Sequence, residues 1–443
     1  MRHDERGLPV GTNSTQAREH ADRALWRLLS FFGNPLPDLE AAAEADPGWL
    51  LPPVMQAGFL LSLTERGFEA DARAALARAA ALEAHGSERE RGLLAGVRLG
   101  WQGDWAAACR CWDQVLDRAP RDALALLWGH LFDFHRGDAD ALLRRVERVL
   151  PDWDADDPLW PYVLGMHAFG LEENHRHAEA EVAGRRALEG GAPVPWAVHA
   201  VAHVMEMQGR HEEGRRWLMQ HEPMWADGNG FAGHLWWHRG LFELEGLDTA
   251  AALQLYDNRL NPEQLQIALQ RLDATALLWR LELLDVDVGP RWRQLAGDWD
   301  QSESSAGWSP FNDLHVLLAL LGSGEPAAAE RWLARVATRC AGLREREGEA
   351  RWQAGRAGLA LMQGLLAYAR GDDHSALPLL QAGRIQAARI GGSHAQRDLV
   401  TQTLLASAAR CGQRALGLAL LAERQGAKAG TPLTRHWQER LAR

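Results

Sequence analysis

The sequence predicts an all-α fold, a right-handed α-solenoid of helix-turn-helix pairs running through residues 1–443 as one array. Three observations carry this expectation. Alanine, leucine, arginine and glutamate dominate, β-branched residues are few and only three tyrosines occur, which favours helix over sheet nearly throughout. Small, large and glycine-plus-polar positions return at a period of roughly 34 residues or its multiples. The proline and glycine breaks between them are all short, so no flexible linker divides the chain. A core built from 443 residues with 47% hydrophobic content would normally split into several domains. A solenoid avoids that limit because each pair touches only its neighbours.

In chain order, residues 1–85 read as an irregular helical cap, interrupted at Asn34-Pro35-Leu36-Pro37, Asp46-Pro47-Gly48 and Leu51-Pro52-Pro53. Each break removes an N–H or permits a positive φ, so helices stop there. Residues 86–255 carry the repeat pattern, most fully between 92 and 120. Gly96 takes the small site where paired helices touch, Gly103-Asp104 turns, Ala108 is the second small site, Trp112 fills the pocket and Pro120 closes the unit. The same order recurs at Gly137-Asp138 before Leu142, Leu143 and Val146, and at Gly209-Arg210 before Gly214 and Trp217. Residues 256–310, broken at Asn261-Pro262 and Gly289-Pro290, form an irregular helical section. The pattern returns over 311–443, with turns at Gly324-Glu325, Gly371-Asp372 and Cys411-Gly412. This is the grammar of tetratricopeptide repeats.

Composition narrows the function classes. Twenty tryptophans point to wide packing seams, with stacking walls as the second use of so many indoles. A formal charge of -11 with scattered arginines argues against nucleic acid and anionic membrane as partners. The polar start Met1-Arg2-His3-Asp4-Glu5-Arg6 has no apolar core of a signal peptide, and no run reaches the length of a membrane span, so a cytoplasmic location is expected. Cys109, Cys111, Cys340 and Cys411 are too few and too irregular for a disulfide framework. Cys109 and Cys111, two apart on a helix, face different sides and make a poor metal pair.

Several strings resemble the tetratricopeptide repeat protein 38 family over nearly the whole chain. They are Trp196-Ala197-Val198-His199-Ala200-Val201-Ala202-His203-Val204-Met205-Glu206-Met207, His234-Leu235-Trp236-Trp237-His238 running on to Leu255-Tyr256-Asp257, Phe311-Asn312-Asp313-Leu314-His315, and Gly391-Gly392-Ser393-His394-Ala395-Gln396-Arg397-Asp398. Generic repeats do not require histidine at these places. The resemblance implies the repeat fold and names no reaction. His135 and His167 stand where aromatic residues of the family's eukaryotic members are expected.

The most informative constellation is His199, His203 and Glu206, spaced i, i+4 and i+7 and therefore on one helix face. Val198, Val201, Ala202 and Met205 form the apolar face beside it, which leaves the polar stripe on the concave side of the array. His234 and His238 repeat the i, i+4 spacing in the next unit, so the two pairs are expected about 10 Å apart, one helix-packing distance. Three readings compete. Two imidazoles at this spacing reach one cation, and His199, His203, His234 and His238 together would hold a divalent metal. A polar organic pocket would use the imidazoles as hydrogen-bonding groups, with His199, His203 or Glu206 as general base and Trp236 or Trp237 as a stacking wall. A buried network that fixes helix register needs no ligand at all.

Further candidates for the same groove are Asp313 and His315, where Asn312 or Asp313 as a helix cap is the competing reading, and Glu172 and Glu173, which a solvated helix end explains almost as well. His130 reads as a packed core histidine. Ser393 reads as the N-cap of a helix, with an anion site assisted by Arg397 as the alternative. No phosphate loop or nucleophile elbow is present in the sequence. The function expected is a His/Glu/Trp-lined concave pocket that binds, and by extension transforms, a small polar molecule. A peptide- or protein-binding scaffold is the alternative, since tetratricopeptide arrays serve that role most often. A closed pocket favours the first and an open channel across several units the second.

Overall fold

The computed structural model describes residues 2–4, 6–343 and 349–443. Among them the chain forms 23 α-helices and a single hairpin of two-residue strands, β1 (Arg2–His3) and β2 (Pro9–Val10). The fold is all-α and built from tetratricopeptide-like helix pairs. Chain contacts gather into two compact units, Met1–Val201 with Pro223–Phe231, and Ala202–Glu222 with Ala232–Arg443.

The first unit stacks helical hairpins in sequence order. They are α1 (Thr15–Ser30) with α2 (Leu36–Ala45), α3 (Leu51–Ser62) with α4 (Glu69–Leu82), and α5 (Glu88–Trp101) with α6 (Trp105–Arg118). Next come α7 (Ala123–His135) with α8 (Ala139–Val149) and α9 (Trp160–Glu173) with α10 (His177–Leu188). Helix α11 (Pro195–Met207) counts with this unit up to Val201.

The second unit begins with the end of α11 and continues through α12 (His211–Gln220), α13 (Ala232–Glu245) and α14 (Thr249–Leu255). A π-helical turn, Tyr256–Leu260, leads to α15 (Ala268–Leu283) and α16 (Arg291–Asp298). The remaining helices are α17 (Pro310–Gly322), α18 (Pro326–Leu343), α19 (Glu349–Ala369), α20 (Asp373–Ile385), α21 (His394–Arg410), α22 (Arg414–Ala427) and α23 (Pro432–Ala442). Helix α15 packs on α13 and α17 and also on α21, while α23 packs on both α21 and α13. The first helices of these pairs thus close on one another. Trp279 Nε1 donates to Thr403 at 3.0 Å and Arg280 donates to the carbonyl of Ala395 at 2.8 Å across that closure.

One turn builds the pairs. The amide after a left-handed residue donates to a carbonyl five residues back, satisfying the end of the first helix. The donors and acceptors are Asp104 and Leu99, Asp138 and Asp133, Arg176 and Leu171, Arg210 and Met205, and Asp248 and Glu243. The series continues with Val286 and Leu281, Glu325 and Leu320, Asp372 and Ala367, and Gln413 and Ala408. Gly103, Gly137, Gly209, Gly324, Gly371 and Gly412 fill the left-handed site where the sequence marks a turn. His175, Leu247 and Asp285 fill it without glycine, at φ 59°, 61° and 60°, so three of the turns carry no sequence mark. The Asp285 turn places the regular pair α15 and α16 inside residues 256–310.

Seams between successive helices are made by glycine facing an aromatic ring, within a pair at Gly96 and between neighbouring pairs at Gly214 and Gly322. A Cβ at Gly96 would overlap the Trp112 indole, at Gly214 the Phe242 ring, and at Gly322 the Trp292 indole. Trp49, Trp112, Trp128, Trp225, Trp237 and Trp437 are among the largest fully buried side chains, in keeping with tryptophan as seam filling.

Candidate functional site

Helix α11 brings His203 and Glu206 into the second unit, and α13 adds His234 and His238 one turn apart. Both helices bury almost every apolar side chain around these residues, Val204 and Met205 on α11 and Leu235 and Trp237 on α13 being fully enclosed. The imidazoles therefore meet inside the packed unit. The His238 and His234 Nε2 atoms lie 3.2 Å apart, and the His203 and His238 ring centres are 4.4 Å apart. The nitrogens of His203, His234 and His238 all fall within 4.8 Å of one another. His203 and His238 are 0% exposed, whereas the His234 side chain keeps 15% of its surface.

Carboxylates fix the rings from behind. His238 Nδ1 donates to Glu206 Oε2 at 3.0 Å and His234 Nδ1 donates to Asp273 Oδ2 of α15 at 2.8 Å. Asp273 also accepts from Gln396 Nε2 at 3.4 Å. Behind Glu206 runs a buried charge network. Lys428 Nζ sits 3.3 Å from Glu206 Oε1 and 2.8 Å from Glu245 Oε1. Arg424 bonds Glu245 at 2.6 Å and Asp398 at 3.1 Å, and Thr431 donates to Glu245 at 2.5 Å.

These surroundings set the protonation states. Burial holds His238 well below the ordinary histidine range, and the neighbouring His203, His234 and Lys428 push the same way. Burial alone would raise the Glu245 carboxyl, but Arg424 and Lys428 outweigh it and bring the pKa to about 2. Asp398 is lowered by the same balance, with Arg424 the main opponent of burial. Lys428 loses by burial and gains more from Glu245 and Glu206, so its pKa rises and it stays charged.

The residues singled out in the sequence divide as follows. His203, His234, His238 and Glu206 come together. His199 stands one turn before His203 on α11 and is 2% exposed, with the rings of Phe169, Trp196 and Phe231 of the first unit centred 5.2, 5.6 and 4.9 Å away. Glu206 is committed to His238 and Lys428. Trp237 is fully buried, stacks on His234 at 5.2 Å and lies 5.6 Å from the Arg280 guanidinium. Trp236, half-buried, lies instead under Arg259 at 4.5 Å. Glu172 and Glu173 close α9 in the first unit and are buried, which overturns their reading as a solvated helix end.

Asp313 and His315 sit buried at the start of α17. Ser309 caps that helix, accepting from the Asn312 amide, so the cap expected at Asn312 or Asp313 falls to a residue earlier in the chain. Asp313 instead accepts from the Gly307 amide at 3.0 Å. His315 donates through Nδ1 to the Phe311 carbonyl at 2.8 Å, and burial lowers its pKa to about 4. His130 is a core residue of the first unit, edge-on to Phe169 and Trp196. Ser393 caps α21 in a reciprocal pair with Gln396, as the sequence suggests.

Asp273, Arg280, Arg424 and Lys428 escape sequence reasoning, although a signal for one of them exists. Lys428 is the only lysine in the chain, all other basic side chains apart from histidine being arginine. Its place is a fully enclosed slot between two carboxylates, where a compact ammonium fits and a planar guanidinium needs more room.

No protein-family model matches the chain. Among solved structures it is similar to the APC/C hetero-tetramer Cut9-Hcn1, at 13% identity and a TM-score of 0.42, covering 100% of this chain and 79% of that one. It is also similar to the human IFIT1 dimer with PPP-AAAA, at 14% identity and a TM-score of 0.40, covering 100% of this chain and 95% of that one.

Proposed function

We propose that the second unit binds a small polar molecule at the imidazole–carboxylate cluster of His203, Glu206, His234 and His238. The carrying observation is that two imidazoles from α13 are each locked by a carboxylate through Nδ1, which aims both Nε2 atoms at one point beside His203. His234 retains exposure and supplies the approach from solvent. Glu206 and Asp273 already hold ring N–H groups, so the cluster meets the bound molecule through imidazole and not through carboxylate. The packing of α15 on α21 and of α13 on α23 supports a small occupant over an extended peptide, which would need those helices parted. Membership of the tetratricopeptide repeat protein 38 family and a cytoplasmic setting belong to the same proposal. No helix among the described residues is long and apolar enough to cross a membrane.

The test is mass spectrometry of small molecules released from the purified full-length chain. A polar compound enriched with the native protein and lost from His203→Asn and His234→Ala, both with unchanged helical circular dichroism, is the expected result. Identical release profiles for native protein and variants would remove the proposal.

A further inference from the structure

We propose that His203, His234 and His238 are ligands to a divalent transition-metal ion of the zinc class. This rests on the reading of the cluster as the binding site and names what it binds first. An ionised carboxylate only accepts, so the His238 Nδ1 that meets Glu206 and the His234 Nδ1 that meets Asp273 both carry their hydrogens. A neutral imidazole has one N–H, so each Nε2 then presents a lone pair, and these two lone pairs face each other at 3.2 Å. Two acceptors at that distance repel unless a positive centre lies between or beside them. Two zinc–imidazole bonds of about 2.0–2.1 Å at a tetrahedral angle put their nitrogens about 3.3 Å apart. The separation in the protein matches that geometry before any ion is added.

Charge balance points the same way. Asp273 is 1% exposed, and among the described residues its carboxylate pairs with no lysine or arginine, only with His234 and Gln396. The surrounding network of Glu206, Asp273, Glu245 and Asp398 against Arg280, Arg424 and Lys428 carries one negative charge in excess. A cation held by the imidazoles neutralises it. A proton shared by His234 and His238 would do so too, and a Co2+ titration separates the two, since only an ion draws on the His203 nitrogen within 4.8 Å of both. Metal-binding histidines usually donate their other ring N–H to a carboxylate, which fixes the ring and makes its free nitrogen a stronger donor to the ion. Three nitrogen donors select zinc, cobalt, nickel or copper over magnesium or calcium, which take oxygen.

The experiment is a Co2+ titration of the chelator-stripped full-length chain, followed by competition with Zn2+. One equivalent should produce the visible d–d bands of tetrahedral cobalt, and Zn2+ should abolish them. Asp273→Asn, which keeps the ring contact but loses the charge, should weaken binding about 10- to 100-fold, and His234→Ala should abolish the bands. Absence of tetrahedral bands, or equal affinity in both variants and the native chain, would overturn the metal and leave the proton-bridged pair. If the co-purifying small molecule survives chelation unchanged, the metal inference fails while the binding-site reading stands. If metal binds stoichiometrically but no small molecule is released, the inference holds and that reading fails.

Discussion

At the scale of single residues, burial of histidine writes a pH dependence into stability. His130 is lowered to about 3 by burial and the nearby Arg145 charge, and His135 and His315 to about 4 by burial. A histidine whose folded pKa lies below its unfolded value of about 6.5 binds fewer protons when folded, so its contribution is full above that pH and is lost as pH falls toward the folded value. Unfolding free energy measured by urea between pH 7 and 4 should therefore decline on acidification, by up to about 1.4 kcal/mol per pH unit for each such group. His130→Phe, which keeps the aromatic contacts, should reduce that slope. An unchanged slope would show that His130 takes no part. Glu245 acts lower on the scale, its share being intact above about 4.5 and lost as pH falls toward 2.

At the scale of helical elements, the pair is set by a left-handed turn residue and a glycine–aromatic seam. Leu247 occupies the left-handed site at φ 61° and is 36% exposed, so it bears backbone cost with little burial in return. Leu247→Gly should raise stability by about 1 kcal/mol and the midpoint of thermal unfolding with it. Gly96→Leu should act in the opposite sense, since its side chain must displace the Trp112 indole, at a cost of about 1–3 kcal/mol. Calorimetry on the two variants separates the two features of one repeat.

At the scale of the whole molecule, a single lysine joins stretches of chain 222 residues apart. Lys428 reaches Glu206 and, through Glu245 and Arg424, Asp398, all enclosed within the second unit. Removing one partner of a buried pair leaves the other charge uncompensated, so Lys428→Ala should cost about 3–5 kcal/mol in denaturant unfolding. Because no other lysine exists, amine-reactive reagents offer a direct probe. The native chain should react at its terminal amine alone, and modification of Lys428 should appear only as denaturant opens the second unit. Rapid labelling of Lys428 under native conditions would contradict its enclosure.

Much of the fold can be read in the chain because a repeat is local. The Gly103, Gly137, Gly209, Gly324, Gly371 and Gly412 turns and the Gly96 and Trp112 seam each depend on residues within one helix pair, and their chemistry is visible at short spacing. Turns at His175, Leu247 and Asp285 were hidden because none has glycine at the left-handed site; all three residues are exposed, and the hydrogen bond that closes the helix end forms there without a residue that marks it. Histidine periodicity on α11 and α13 likewise marked the imidazole cluster of the proposed site, since i, i+4 spacing alone puts His234 and His238 on one face. Only the three-dimensional packing decided what stands behind those rings. Asp273, Asp398, Arg424 and Lys428 come from helices far along the chain, where their neighbours in sequence give no hint that a carboxylate or ammonium is about to be buried. Electrostatic partners at such separation are chosen by how helices close on one another, which no local pattern encodes.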